Sequence, residues 1–253
     1  MTDKLFRKIS HQDYGNPDYE RNFKNSYNHV PKGIHTHKVW HVSVDSVGAG
    51  VYYLDDDYLS QYSGAESIPL LGGGVMLFGL ILFLRRDIYI WPTERIIMVS
   101  ILGFFFLFFA VYYFTMPKKE NIYDRKHGSI TFTGNYWGKN ITMPFSNILF
   151  HASTGGEDGT GAYMLQIVRP TDRTFSLSSF GDDCYKSISL ITWYMDKNRP
   201  LPPGTAFDPY RDQDFERRKA EGFPPPLYPS QVPTPEATKA QQKERDKYWR
   251  DLE

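Results

Sequence analysis

Two long apolar runs dominate the hydrophobic pattern of the chain. The first covers residues 68–84 and the second covers residues 96–115, and neither contains a charged side chain. At about 1.5 Å per residue, a helix over the second run is roughly 30 Å long, which matches the hydrocarbon core of a bilayer. The pattern therefore predicts one transmembrane helix in each run, and buried core helices are the less favoured alternative.

The two predicted helices should form a tight antiparallel hairpin over residues 68–116, because only residues 85–95 separate them. Aromatic residues stand near the expected membrane interfaces, where amphipathic rings are favoured: Tyr89, Trp91, Tyr112 and Tyr113. Gly72 and Gly79 share one face of the first helix and should let the second helix approach closely. The expected neighbours on the second helix are Phe104, Phe105 and Phe108.

The N-terminal flank, residues 1–67, is polar and gives weaker signals. Residues 1–38 show no clear helical or strand periodicity. Residues 39–54 predict two short strands around a glycine turn. A metal site at His35, His37 and His41 lacks a Cys or carboxylate at ligand spacing, so we predict surface histidines. No apolar segment follows the first basic residues, so we expect no cleavable secretory signal.

Residues 117–199 predict a small antiparallel β domain. Apolar and polar residues alternate in five short segments, at 130–132, 141–145, 148–150, 163–167 and 175–177. Asp182 should then cap a helix whose apolar face includes Cys184, Ile188, Ile191 and Met195. Strands closed by one C-terminal helix follow the order of a pleckstrin-homology-like domain. The predicted fold is a membrane protein of the α+β class, with a two-helix transmembrane hairpin followed by this domain.

The tail, residues 200–253, alternates Pro-rich and charged pieces. Residues 212–221 and 235–250 are helix candidates with balanced charges, which predicts an exposed, partly ordered arm that folds back or contacts a partner. Aromatic residues often lie at the energetic centres of interfaces. The candidate partner-binding residues are therefore Phe207, Tyr210, Phe215, Phe223, Tyr228 and Trp249.

Composition narrows the function classes. The chain has 29 basic and 29 acidic residues, so there is no electrostatic reason to expect a nucleic-acid partner. The single cysteine, Cys184, excludes an intramolecular disulfide and favours a reducing compartment. No catalytic, metal or cofactor motif is present, and the glycine loop at 155–159 lacks the Lys of a phosphate cradle. We therefore predict a non-catalytic protein without a cofactor, and a structural role for Cys184.

The distribution of Lys and Arg around the hairpin is nearly balanced and does not by itself fix the topology. The lone thiol and the length of the C-terminal part favour both termini in the cytoplasm. We therefore expect a multi-pass protein of the bacterial inner membrane, with the lipid bilayer as one of its partners.

One segment of the tail carries a family resemblance. Residues 201–230 read LPPGTAFDPYRDQDFERRKAEGFPPPLYPS, and they follow the predicted strand and helix of residues 175–193. Together with the two upstream helices, this arrangement resembles a family of proteobacterial two-helix membrane proteins that are often encoded beside type VI secretion effectors. The resemblance implies an immunity or accessory protein, with a toxin effector or a secretion component as its protein partner.

Two other functions remain open from the sequence. A membrane scaffold or lipid-sensing protein would use the pleckstrin-homology-like domain to bind headgroups or a resident protein. A pore-forming effector would use the hairpin itself as the toxic element. The immunity interpretation is preferred because of the resemblance.

Overall fold

The computed structural model describes residues 5–26, 28–39, 41–46, 51–84, 93–153, 163–177 and 183–251. Within these ranges the protein is an α+β chain with six α-helices and nine β-strands. The helices are α1 (Pro17–Lys24), α2 (Ser67–Leu84), α3 (Thr93–Thr115), α4 (Cys184–Met195), α5 (Arg211–Ala220) and α6 (Lys239–Arg250). The strands are β1 (His29–Val30), β2 (Val51–Leu54), β3 (Tyr58–Gln61), β4 (Asn121–Asp124), β5 (Ser129–Phe132), β6 (Ile141–Pro144), β7 (Phe150–Ala152), β8 (Leu165–Val168) and β9 (Phe175–Leu177).

The strands form two antiparallel sheets. One has five strands in the order β2-β3-β4-β5-β6, and the other has four strands in the order β1-β7-β8-β9. In the first sheet, Gln61 on β3 pairs with Asn121 on β4, although the whole helical hairpin lies between them in sequence. In the second sheet, His29 on β1 pairs with His151 on β7. Residues from both sides of the hairpin therefore build each sheet.

Helix α4 is buried along nearly its whole surface. Ile188, Ile191 and Tyr194 belong to the same apolar core as strand residues of both sheets. The N-terminal segment also contacts this helix, since the Gly33 N–H group donates to Thr192 and the His35 N–H group donates to Ser189. The buried hydroxyl groups of Ser189 and Thr192 thus accept hydrogen bonds from backbone N–H groups, and buried polar groups need such partners.

The chain forms two compact units. The first, here called the sheet unit, comprises Met1–Tyr62, Glu120–Phe132 and Asn140–Glu253. The second, the hairpin unit, comprises Ser63–Lys119 and Thr133–Lys139. The predicted division into a flank of residues 1–67 and a domain of residues 117–199 differs from this arrangement, because strands of the flank pair with strands of the domain.

Helices α2 and α3 pack against each other, and both are long and apolar enough to cross a membrane. Most of their apolar side chains are exposed within the chain, so these helices are not core helices of the protein. A Cβ atom on Gly72 would lie 2.6 Å from the ring of Phe109, and one on Gly79 would lie 3.3 Å from Leu102. The glycines thus permit close helix packing, as predicted. The neighbours differ from those predicted, because Phe104, Phe105 and Phe108 are exposed.

Several local predictions also need correction. The first strand expected within residues 39–54 is absent from its described part, which contains the short 3-10 helix Val44–Ser46, and the glycine turn lies outside the described residues. The cap of α4 is Asp183, whose side chain accepts from the N–H groups of Tyr185 and Lys186, while Asp182 lies outside the described residues. The last helix begins at Lys239, after a capping box on Thr238.

Candidate protein-binding surface

The Pro-rich part of the tail is held by the buried carboxylate of Asp196, which follows α4. This carboxylate accepts hydrogen bonds from the N–H groups of Leu227 (3.0 Å) and Tyr228 (3.2 Å). It also accepts from Nε of Arg199 (3.0 Å), whose Nη2 donates to the Tyr228 carbonyl (2.8 Å). Hydrogen bonds to a charged group are stronger than neutral ones, so Leu227 and Tyr228 are fixed beside the end of α4.

A second buried cluster joins the end of β4 to the tail. Arg125 Nη1 donates to one oxygen of Asp214 (2.6 Å), and Arg218 Nε donates to the other (2.9 Å). Arg218 also donates through both Nη atoms to the carboxylate of Glu236, at 2.9 and 2.6 Å. We call these four side chains the buried ion chain. Its two positive and two negative charges balance, and pairing with opposite charges is the form in which buried ions are tolerated, although Nε of Arg125 has no hydrogen-bond partner among the described residues.

The pKa of Asp214 reflects this environment. Burial by itself raises the pKa of this carboxyl, because desolvation disfavours the charged form. The guanidinium groups of Arg125 and Arg218 outweigh the burial, and the pKa lies below its ordinary value. Asp214 is therefore a carboxylate at neutral pH.

Three of the six candidate partner-binding residues are buried and pack the tail. Phe207 lies beside Tyr194, with ring centroids 5.8 Å apart. Phe215 and Phe223 contact each other at 5.5 Å. These three rings therefore serve first to pack the tail within the sheet unit. The tail therefore folds back, which is one of the two arrangements expected for it. Its expected exposure holds for α6, which has no buried residue, and fails at Phe207, Phe215 and Phe223.

The other three candidates remain accessible to different degrees. Tyr210 and Tyr228 are half-buried, and the ring of Tyr228 contacts Phe145 at 5.0 Å. Burial raises the pKa of Tyr228 to about 12, so its hydroxyl stays protonated at neutral pH. Trp249, near the end of α6, is 41% exposed. It is the most accessible of the predicted set.

A cleft of about 350 Å³ lies beside Trp249. Phe223 and residues 224–226 supply much of its apolar lining, while Arg245 and Asp246 are among its polar residues. The structure thus brings together two predicted residues, Phe223 and Trp249, in one cleft. A tryptophan, prolines and an arginine around a concave surface are suited to an apolar side chain with a neighbouring charge on a partner protein.

A second cleft, of about 360 Å³, is more polar. It is lined by Asp56, Asp57, Arg125, Lys126, Lys197, Gln213, Arg217 and Glu221. Some of these charges pair with each other, with Lys126 3.8 Å from Asp57 and Arg217 3.0 Å from Glu221. Burial, followed by the charge of Asp57, raises the pKa of Asp56. The described lining contains carboxylates and cations without a hydroxyl, thiol or imidazole nucleophile.

Other chemistry weighed from the sequence has structural explanations. His35 lies edge-on to Tyr185, and no cluster of three or more His, Cys, Asp or Glu side chains suited to a metal occurs among the described residues. Asp55 accepts from the N–H groups of Asp57 and Tyr58 and thereby forms the β2–β3 turn. Cys184 is buried, and burial raises the pKa of its thiol. The glycine loop at 155–159 lies outside the described residues.

The sequence did not identify Asp196 or the buried ion chain. The spacing of Asp214 and Arg218, at i and i+4 on α5, was the one local signal for part of it. Comparisons with protein-family models, with curated proteins and with solved structures gave no match.

Proposed function

We propose that this protein is a non-catalytic binding protein anchored in the bacterial inner membrane by α2 and α3. Support comes from the exposure of apolar side chains along both helices. A core helix of a soluble protein would cover these side chains, and a signal sequence would precede the folded strands. Here β1, β2 and β3 come first. With 23 residues, α3 is about 34 Å long, enough to cross the hydrocarbon core.

The pairing of β3 with β4 supports a specific topology. Gln61 precedes the hairpin and Asn121 follows it, yet the two are partners in one sheet. Two segments that share a sheet must lie on the same side of a membrane, so both termini belong on one side. We assign that side to the cytoplasm, where the single thiol of Cys184 would stay reduced.

We further propose that the sheet unit is pleckstrin-homology-like. Strands β3 to β6 are consecutive neighbours in one sheet, β7 to β9 are consecutive neighbours in the other, and α4 follows them. In this interpretation the helical hairpin is an insertion between the first and second strands of the domain, while β2 and β1 extend the edges of the two sheets. A domain of this kind is suited to binding, but its fold alone does not identify the ligand.

The proposed partner is a protein, and the cleft beside Trp249 is its proposed contact site. The family resemblance of residues 201–230 implies a toxin effector or another secretion component as that partner. The protein would then act as an immunity or accessory protein that holds the toxin at the cytoplasmic face of the membrane.

The test is protection of cells against the product of the gene beside its own, which the resemblance implies is a toxin. Full-length protein should restore growth when both are expressed, and Trp249→Ala should weaken protection and lower toxin affinity by about tenfold or more. Tyr163→Ala is the matched control, because Tyr163 is an exposed aromatic residue outside the cleft. Absence of protection by the full-length protein, or equal losses in both variants, would refute the assignment.

The topology has its own test. A cytoplasmic reporter fused after Glu253 should be active, and a periplasmic reporter at the same position should be silent. Strong periplasmic activity would place the sheet unit on the opposite side of the membrane.

A lipid-sensing or scaffold role is the second candidate, and the strand order favours it as much as it favours protein binding. In that case soluble headgroup analogues would bind the purified chain and the neighbouring toxin would not. The pore-forming alternative stays a prediction with a simple readout, which is growth arrest when the chain is expressed alone.

A further inference from the structure

The loop between β5 and β6 carries two exposed aromatic side chains. Tyr136 is 65% exposed and Trp137 is 45% exposed. The loop, Thr133–Lys139, belongs to the hairpin unit together with α2 and α3. It is also tightly closed, since a Cβ atom on Gly134 would lie 2.1 Å from the Lys139 carbonyl oxygen. Two neighbouring exposed rings on a constrained loop suggest a surface role.

Trp137 fixes the loop to the C-terminal end of α3. Its Nε1 donates a hydrogen bond to the hydroxyl of Thr115 (2.8 Å). Its ring lies edge-on to Tyr112, with centroids 4.7 Å apart, and to Phe108 at 5.9 Å. Edge-on aromatic pairs add to the stabilisation from burial. The indole is therefore positioned beside the last turns of the helix.

A buried lysine holds the loop from the other side. Lys119, just after α3, donates through Nζ to the carbonyls of Gly134 (2.9 Å) and Gly138 (2.8 Å). An ammonium group that leaves water needs such acceptors, so these bonds make the loop conformation and the helix end mutually dependent. These hydrogen bonds therefore fix the position of the loop along the axis of α3.

The position of the loop along α3 coincides with the expected membrane interface. If α3 crosses the bilayer, its 23 residues span about 34 Å and its last turn reaches the headgroup region. Tyr and Trp are favoured in this region, because one part of each side chain is apolar and the other forms hydrogen bonds. Lys118 and Lys139 are exposed near the same end and can reach lipid phosphates.

We infer that Thr133–Lys139 is an interfacial loop that inserts Tyr136 and Trp137 into the lipid headgroup layer. The occupant of this surface is the bilayer that α2 and α3 cross, so the inference rests on the proposed membrane anchor. It adds a lipid contact from a segment outside the two spans, and Trp137 is the residue that positions it.

The test uses an environment-sensitive nitrobenzoxadiazole label on the full chain in phosphatidylcholine–phosphatidylglycerol nanodiscs. Cysteines are introduced one at a time by Tyr136→Cys, by Leu107→Cys in the exposed middle of α3, and by Tyr185→Cys on α4. Cys184 can stay, because its thiol is buried, and the parent chain gives the labelling background. Iodide quenching should be at least about threefold weaker at position 136 than at position 185, with blue-shifted emission.

The label at position 107 distinguishes the interfacial loop from the membrane anchor. Shielding at position 107 with free quenching at position 136 would overturn the interfacial loop while leaving the membrane anchor intact. Free quenching at position 107 would overturn the anchor itself. Adding Trp137→Ala should increase quenching at position 136, because the loop loses its contacts with α3. Unchanged shielding in that variant would refute the positioning role of Trp137.

Discussion

Glu236→Gln should destabilise the sheet unit strongly, although the two side chains have the same shape. Both oxygens of Glu236 accept from Arg218, and Oε1 also accepts from Arg245 at 2.9 Å. The side chains of Arg218 and Glu236 are each 1% exposed. A glutamine would remove the negative charge and direct an amide donor toward guanidinium donors. The buried ion chain would then carry an uncompensated positive charge.

The magnitude follows from the cost of breaking a buried ion pair. Removal of one partner typically costs about 3–5 kcal/mol, because the other charge stays buried without compensation. Arg218 keeps its second partner, Asp214, at 2.9 Å, so we expect the lower end, about 3 kcal/mol. With a urea dependence of about 2 kcal/mol per molar, the unfolding midpoint should fall by about 1.5 M.

The assay is urea unfolding of the full chain in nanodiscs, followed by tryptophan fluorescence. The matched control is Glu244→Gln, which removes the acid of the Lys219–Glu244 pair on the same tail. That pair is close, at 2.5 Å, but both side chains are almost half exposed. Exposed pairs contribute little, so its midpoint should not change measurably. Equal midpoints for the two variants would refute the claim that burial makes the ion chain important.

Two further predictions concern the hairpin and the half-buried amine of Lys32. Gly72→Leu should loosen α2 from α3 by about 1–3 kcal/mol, because its Cβ would clash with Phe109. A Cβ atom on Gly74 meets nothing within 4 Å, so Gly74→Leu is the matched control. Detergent unfolding of the reconstituted full chain compares the two variants, and equal stability would contradict the packing. Burial, with the charge of Lys24, lowers the pKa of Lys32 from 10.5 to about 8. The unfolded chain therefore binds more protons between these pH values, and stability should rise with pH from about 8 to 10. Lys32→Met should abolish that rise in thermal unfolding, and an identical slope in both proteins would contradict it.

Local pattern was enough for the elements whose sequence carries a long apolar run or a clear alternation. The uninterrupted apolar runs predicted α2 and α3, and strict alternation predicted strands at Ile130, Met143, Leu165 and their neighbours, which are confirmed as β5, β6 and β8. Periodicity works here because the environment of each side chain repeats with the backbone geometry.

The β3–β4 pairing could not be predicted in the same way. The sequences of β3 (YLSQ) and β4 (NIYD) do not alternate between apolar and polar residues, and their partners lie about sixty positions apart. The tail was misjudged for a related reason. Asp214, Arg218 and Glu236 have the composition of a solvated surface, and only their mutual pairing makes burial favourable. Pairing between distant residues leaves no trace in a local pattern.

The same pairing explains how a long insertion is compatible with a stable sheet. Residues 62–120 separate Gln61 from Asn121, and closing a flexible loop of this length costs roughly 3–4 kcal/mol beyond a constant term. An antiparallel helix pair reduces this cost, since α2 and α3 pack against each other and a packed pair holds the two ends of the insertion close together. Close packing at Gly72 is therefore expected to assist sheet formation as well as the hairpin. By the same linkage, a variant that separates α2 from α3 should lower the stability of the β3–β4 pair, and hydrogen exchange at Leu59 and Tyr123 would report the change. Unchanged exchange in Gly72→Leu would show that the hairpin and the sheet fold independently.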